Sequence, residues 1–205
     1  MTTDRPVVQF VCFETPLPRP AFIPAWVPGA DTLLALGARH SILSERIVGR
    51  GAGLSFEFIA RNEWPEEAFA QAARTGRIED GADGPIRAAQ GGTFRATGPV
   101  PYLAQFTCDK VLALLSIPDG DTAVPRRAIA AAFGAVRGVQ LSLYGDGTAD
   151  RGRFDIVAEV YGALGQGADL ASRMEAAIAD LVDPGASMIA VYREILTLPP
   201  RPPAL

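Results

Sequence analysis

The only histidine of the chain, His40, stands in LGARHSILSERIVG, residues 36–49. A neutral imidazole titrates near pH ~6.5 and can take up and return a proton at neutral pH. In a pocket that also held carboxylates, His40 would be a general base for drawing a proton from an acidic carbon. The other reading is an exposed or hydrogen-bonded histidine at a strand end. Ile42 and Leu43 are adjacent apolar residues, so the pattern leaves the face of His40 open.

Glu57 and Glu159 lie at similar places in FEFIAR and AEVY, 100 or so residues apart. They can pair for acid/base work, with His40 and Glu57 as the catalytic candidates. They can equally form ion pairs with Arg61, Arg46 or Arg193, because buried charge is usually paired. Tyr144, Asp155 and Tyr161 belong to the same candidate strands and would help Glu159 and Arg61 to position a ligand. Buried tyrosine is also ordinary packing with a satisfied hydroxyl. Trp26 in FIPAWVPG would cover a pocket, contact another subunit, or pack as loop-anchored core.

Other chemistries lack their residues. One histidine and two cysteines, Cys12 and Cys108, far apart in sequence, do not make a zinc site. GRGAGLSFEF precedes a strand rather than a helix, so it is no dinucleotide loop. YGDGTADRG lacks the twelfth-position glutamate of a calcium loop and reads as a turn. No GxSxG elbow occurs. The expectation is no cofactor, with haem kept open on the condition that His40 be its histidine ligand.

The 205 residues carry a net charge of −4, with 48% hydrophobic and 20% charged residues. That is ordinary for a globular protein, and it provides no basic footprint for nucleic acid. Lys110 is the only lysine, from which no function is read. The N-terminus lacks the apolar stretch of a signal peptide, and no apolar run approaches a membrane span. The expected partner is a small organic molecule rather than nucleic acid or membrane, with a homodimer allowed, and the expected compartment is the cytoplasm.

These residues need elements to hold them. In the second half, KVLALLSI (110–117) reads as a buried strand ended by a turn, and 123–136 as a helix capped by Asp121 or Thr122. Strands follow at 139–145 and 153–161, then a helix at 169–183 with Asp169 as cap, then a strand at 187–198. The order is β-α-β-β-α-β. The first half repeats it with strands at 7–13, 38–48, 53–61 and 92–98 and a helix at 65–74. Its first connection carries Pro16, Pro18, Pro20, Pro24 and Pro28. Proline removes a backbone donor, so a proline-rich irregular insertion is expected over 14–30, with two helical turns at most over 30–37. Segment 77–92 also reads as irregular, and the tail LPPRPPAL as extended.

Alternation splits two strands into faces. Leu54, Phe56, Phe58 and Ala60 oppose Ser55, Glu57, Ile59 and Arg61. Phe154, Ile156, Ala158 and Val160 oppose Asp155, Val157, Glu159 and Tyr161. The apolar faces belong under helices. The mixed faces then enclose a pocket between two sheets, or stand in solvent.

In element order, and in strand–helix units such as FEFIARNEWPEEAFAQAAR and FDIVAEVYGALGQGADLASRMEAAIADL, the chain resembles the dimeric α+β barrel superfamily, in particular its EthD-like members. The resemblance covers nearly the whole chain as two fused ferredoxin-like units, 1–106 and 107–205. It implies an α+β fold in which antiparallel sheets stack into an intrachain barrel. It also implies a small-molecule pocket on the sheet face. Activities in the superfamily range over monooxygenases, isomerases, cyclases, decarboxylases, haem enzymes and accessory proteins of degradative pathways, so the fold does not choose among them.

Overall fold

Period-two alternation decides where each strand sends its side chains, and pairing closes the strands into a ring. The computed structural model describes residues 6–50, 54, 56–74, 86–97, 100, 106–148 and 154–199. Its elements are β1 Val7–Glu14, α1 Arg19–Ala35, β2 His40–Arg50, β3 Phe58–Trp64, α2 Glu66–Arg74 and β4 Arg87–Ala96. They continue as β5 Cys108–Leu115, α3 Ala123–Phe133, β6 Gln140–Thr148, β7 Ile156–Ala163, α4 Gly167–Ile178 and β8 Met188–Leu198. All strand pairs are antiparallel. The order β1-β3-β2-β8-β5-β7-β6-β4 forms a closed eight-stranded barrel. Closure gives each described strand a neighbour on both sides.

The helices cover the outside. Val111, Ala113, Ile156, Ala158 and Val160 pack with Ile129, Phe133, Leu170 and Met174 of α3 and α4. Leu43, Phe58 and Ala60 pack with Phe22, Trp26 and Ala30 of α1. A separate cluster lies inside the barrel and contains Val8, Phe10, Ile59, Phe94, Leu112, Tyr144, Val157 and Tyr192. The apolar faces of β3 and β7 thus lie under helices and the mixed faces turn inward, as alternation implies. Phe56 and Phe154 depart from this rule and enter the barrel.

The proline-rich segment is the main correction. Arg19–Ala35 is a 17-residue helix with Pro24 and Pro28 inside it. Pro20 stands at the helix start, where its missing N–H costs nothing. Pro24 withdraws the donor that would meet the Pro20 carbonyl, and Pro28 the one that would meet Pro24. All three prolines are exposed, on the side of the helix away from Phe22, Trp26, Ala30 and Leu34. The Thr32 hydroxyl also donates to the Pro28 carbonyl at 3.0 Å. The buried residues Phe22, Trp26, Ala30 and Leu34 recur every fourth position along the other side. Helix propensity is overridden by packing of this stripe. Pro24→Ala should restore one hydrogen bond and raise stability by about 1–3 kcal/mol, read as a shift of the urea midpoint.

Smaller differences concern boundaries. Strand β4 begins at Arg87, inside the stretch expected to be irregular; residues 75–85 lie outside the described residues, as do 51–53, 149–153 and 200–205. At α3, the Asp121 carboxylate accepts from the Ala123 N–H at 2.9 Å. At α4, Asp169 lies in the first turn rather than at the cap. The Asp109 carboxylate serves that end instead, accepting from Gly165 and Gly167 at 2.7 and 3.2 Å. Gly138, at φ 74°, makes the left-handed turn between α3 and β6. Among the described residues no helix is long and apolar enough to cross a membrane.

Candidate functional site: a buried polar cluster inside the barrel

Alternation places Arg61 and Glu63 beside Ile59 on the inward side of β3, and Glu159 and Tyr161 beside Val157 on that of β7. The register relates the two strands. Arg61 faces Phe10 on β1 and Ile42 on β2. Glu159 faces Leu112 on β5 and Ser142 on β6. Arg61 therefore holds the place in β3 that Glu159 holds in β7. The match of Glu57 with Glu159 expected from sequence is corrected, because β3 starts at Phe58 and pairs through Trp64.

Arg61 and Glu159 meet across the interior. Arg61 Nη1 donates to Glu159 Oε2 at 2.8 Å and to the Tyr161 hydroxyl at 3.0 Å. The Tyr144 hydroxyl donates to the same carboxylate oxygen at 2.7 Å. Lys110 Nζ reaches Glu159 Oε1 at 3.1 Å, Glu194 Oε1 at 3.4 Å and Ser44 Oγ at 2.8 Å. The Tyr161 hydroxyl donates to Glu194 Oε1 at 2.9 Å. Two cations and two anions are thus buried together. A buried ion pair is tolerated only with such partners on its remaining lone pairs and protons.

Burial alone would push the Glu159 carboxyl up. The facing Arg61 and Lys110 override it and hold the group at about 2, against an ordinary 4.5. Burial would lower Arg61, and the Glu159 carboxylate raises it instead. Burial pushes Tyr144 up, and the Glu159 charge adds to it. Burial also raises Tyr161, against the pull of Arg61. Both phenols stay protonated as donors at neutral pH. Glu159 is a fixed anion there and a poor proton carrier.

His40 lies on the inward face opposite Glu63. Its Nε2 is 2.9 Å from Glu63 Oε2, and both residues are buried. Arg39 Nη1 stands 3.7 Å from the other Glu63 oxygen. An imidazole oriented by a carboxylate can carry a proton. The Glu63 carboxylate holds one ring nitrogen of His40, the way a carboxylate orients an imidazole that acts through its other nitrogen.

Of the residues singled out by sequence, Arg61, Tyr144, Glu159 and Tyr161 come together, with His40 inside the same barrel. Glu57 does not join them. It pairs with Arg46 at 2.9 Å, with its side chain 44% exposed. Asp155 precedes β7 and accepts from the Ile117 N–H at 2.7 Å. Trp26 lies on the buried side of α1, outside the barrel. Sequence reasoning missed Lys110, Glu194, Ser44 and Glu63. Lys110 had a signal. Inward parity with Leu112 and Leu114 buries the only lysine in the chain.

The interior is divided along the barrel axis. Lys110, Tyr161 and Glu194 mark the polar end of β5, β7 and β8, and Leu114, Val157 and Met188 the apolar end. Tyr144 stands at the boundary. Its ring meets Phe10 edge-on at 5.2 Å, in the apolar cluster, while its hydroxyl holds Glu159. Cys12, in the apolar part, is a thiol whose burial pushes its pKa up. Among the described residues no group of three or more His, Cys, Asp or Glu is placed to hold a metal.

No family model matches the sequence, and no curated protein matches it. Solved structures do match in shape. An anthrone oxidase-like protein superposes with a TM-score of 0.59 at 13% identity, covering 97% of this chain and 94% of its own. A chlorite dismutase from Candidatus Nitrospira defluvii in complex with imidazole superposes at 0.53 and 10% identity, covering 93% and 92%. A monooxygenase-like protein from Lactobacillus acidophilus NCFM superposes at 0.52 and 9% identity, covering 95% and 96%. The fold is the dimeric α+β barrel. At such identities the likeness extends to the fold alone.

Proposed function

We propose that the barrel interior binds a small, largely apolar organic molecule, with its polar head at Tyr144, Glu159 and Arg61 and its body among Phe10, Phe94 and Tyr192. The observation that carries this reading is Tyr144, whose ring belongs to the apolar compartment and whose hydroxyl belongs to the ion cluster. Ligand sites combine an apolar lining with a few convergent polar groups, and an eight-stranded barrel has room for side chains or one small ligand. The fold of the neighbours agrees with it. In this reading the chain consists of two fused ferredoxin-like units, 1–106 and 107–205, and His40 with Glu63 is the pair that transfers a proton in cofactor-independent isomerisation, cyclisation or decarboxylation. Glu57 is not carried forward as a catalytic group, because it pairs with Arg46 away from the cluster.

Two probes test the head-group assignment by titration calorimetry. p-Cresol carries a ring and a hydroxyl, whereas toluene carries the ring alone. Tyr144→Phe should weaken p-cresol about tenfold and leave toluene unchanged. Equal p-cresol affinity in both proteins would remove the cluster from the site.

A second reading rests on the pairing of the ion cluster and the burial of the interior residues around it. A filled barrel suits a non-catalytic, EthD-like accessory protein that acts through its outer surface. Wild-type protein that binds no member of a panel of small aromatic and lactone compounds would favour it.

A further inference from the structure

The entries to β3 and β7 break the alternation of the strands they begin. Inside β3, Ile59 points into the barrel and Phe58 under α1. Regular extension would turn Glu57 inward and Phe56 outward. The reverse occurs: Phe56 is 1% exposed within the interior cluster, and Glu57 stands out at Arg46. In β7, Val157 points in and Ile156 out. Again Phe154 enters the interior, and Asp155 turns to the Ile117 N–H. Phe56 and Phe154 are related by the offset that relates Arg61 to Glu159. Both rings enter at the apolar end, beside residues such as Leu114, Val157 and Met188.

Neither phenylalanine lies in the strand ladders, which begin at Phe58 and Ile156. Among the described residues, discrete bonds rather than a ladder hold each segment. The Tyr192 hydroxyl donates to the Phe56 carbonyl at 2.8 Å. The Arg46 N–H donates to the Glu57 carbonyl at 2.9 Å, and the Arg46 side chain bridges the Glu57 carboxylate. The Asp155 N–H donates to the Leu115 carbonyl at 2.8 Å, alongside its carboxylate contact with Ile117.

We propose that Phe56 and Phe154 are displaceable plugs, and that the space their rings fill at the apolar end receives the apolar ring of the ligand. This rests on the binding reading above. Glu57 and Asp155 are then latches rather than acid/base groups. The ligand class follows from what is displaced: an uncharged ring of about phenyl size, with its polar substituent directed along the barrel toward Tyr144. A latched plug lowers apparent affinity by the fraction of molecules that are open, so loosening the latch strengthens binding without any new contact.

The experiment titrates toluene and p-cresol into wild type, Tyr192→Phe, Glu57→Ala and Phe56→Ala, each shown to be folded by its melting curve. Tyr192→Phe removes the bond to Phe56 and keeps the ring. Both probes should bind it about fivefold more tightly than wild type. Glu57→Ala removes a half-exposed ion pair and should give about threefold. If toluene binding strengthens only in Phe56→Ala, that variant has merely opened a cavity, and the plug is overturned. If neither latch variant changes affinity while Tyr144→Phe still weakens p-cresol, the plug falls and the binding site stands. If neither probe binds any variant, Phe56→Ala included, both fall.

Discussion

Glu159→Gln is expected to cost about 3–5 kcal/mol of unfolding free energy, because it leaves buried Arg61 and Lys110 facing an uncharged amide. That is a large share of the ~5–15 kcal/mol typical of a domain, and it corresponds to roughly 10 °C in the melting midpoint. Urea denaturation at neutral pH reads it directly; a loss below about 1 kcal/mol would mean that the cluster is not closed as described. The pH dependence has a definite sign. The carboxyl is held at about 2 when folded, against an ordinary 4.5. Its contribution is therefore fully present above about pH 4.5 and lost as pH falls toward 2. The gap between wild type and Glu159→Gln should narrow over that window and be constant above it. Replacing Arg61 and Glu159 together by leucine removes one charge of each sign and leaves Lys110 with Glu194. That double variant should be more stable than either single one.

The second large effect is expected outside the barrel. Phe22→Ala should cost about 3–5 kcal/mol. The ring is fully buried and stacks on Phe58 with centroids 4.1 Å apart and planes 9° apart. It also meets Phe13 edge-on at 5.3 Å. The variant asks what holds a helix that contains two internal prolines. If packing holds it, amide hydrogen exchange over Arg19–Ala35 should speed up far more than exchange in α3 or α4. If local propensity held it, the substitution would instead stabilise the helix by a few tenths of a kcal/mol, since alanine is the better helix former.

The elements of the second half were legible because each has one clear period bounded by a turn. KVLALLSI, VQLSLYG and RFDIVAEVY are recovered within two or three residues as β5, β6 and β7. The inward turn of Glu159, Tyr161 and Arg61 was legible too, since alternation assigns a residue to a face without reference to its partners. Proline content misled at Arg19–Ala35, because a count of prolines does not say that they stand four apart on the solvent side. Phe56 and Phe154 were assigned to the wrong face because the strands start later than their apolar pattern does.

Sequence alone therefore determined the order of the elements and the faces of most strands, which are local properties of period two and of turns. Only the tertiary structure decided which charges meet. Arg61 and Glu159 are joined by register and barrel closure, across 98 residues of chain. It also decided that Glu57 faces Arg46 near solvent, and that the only lysine joins the interior cluster. Pairing partners depend on which strands become neighbours, and no local periodicity contains that information.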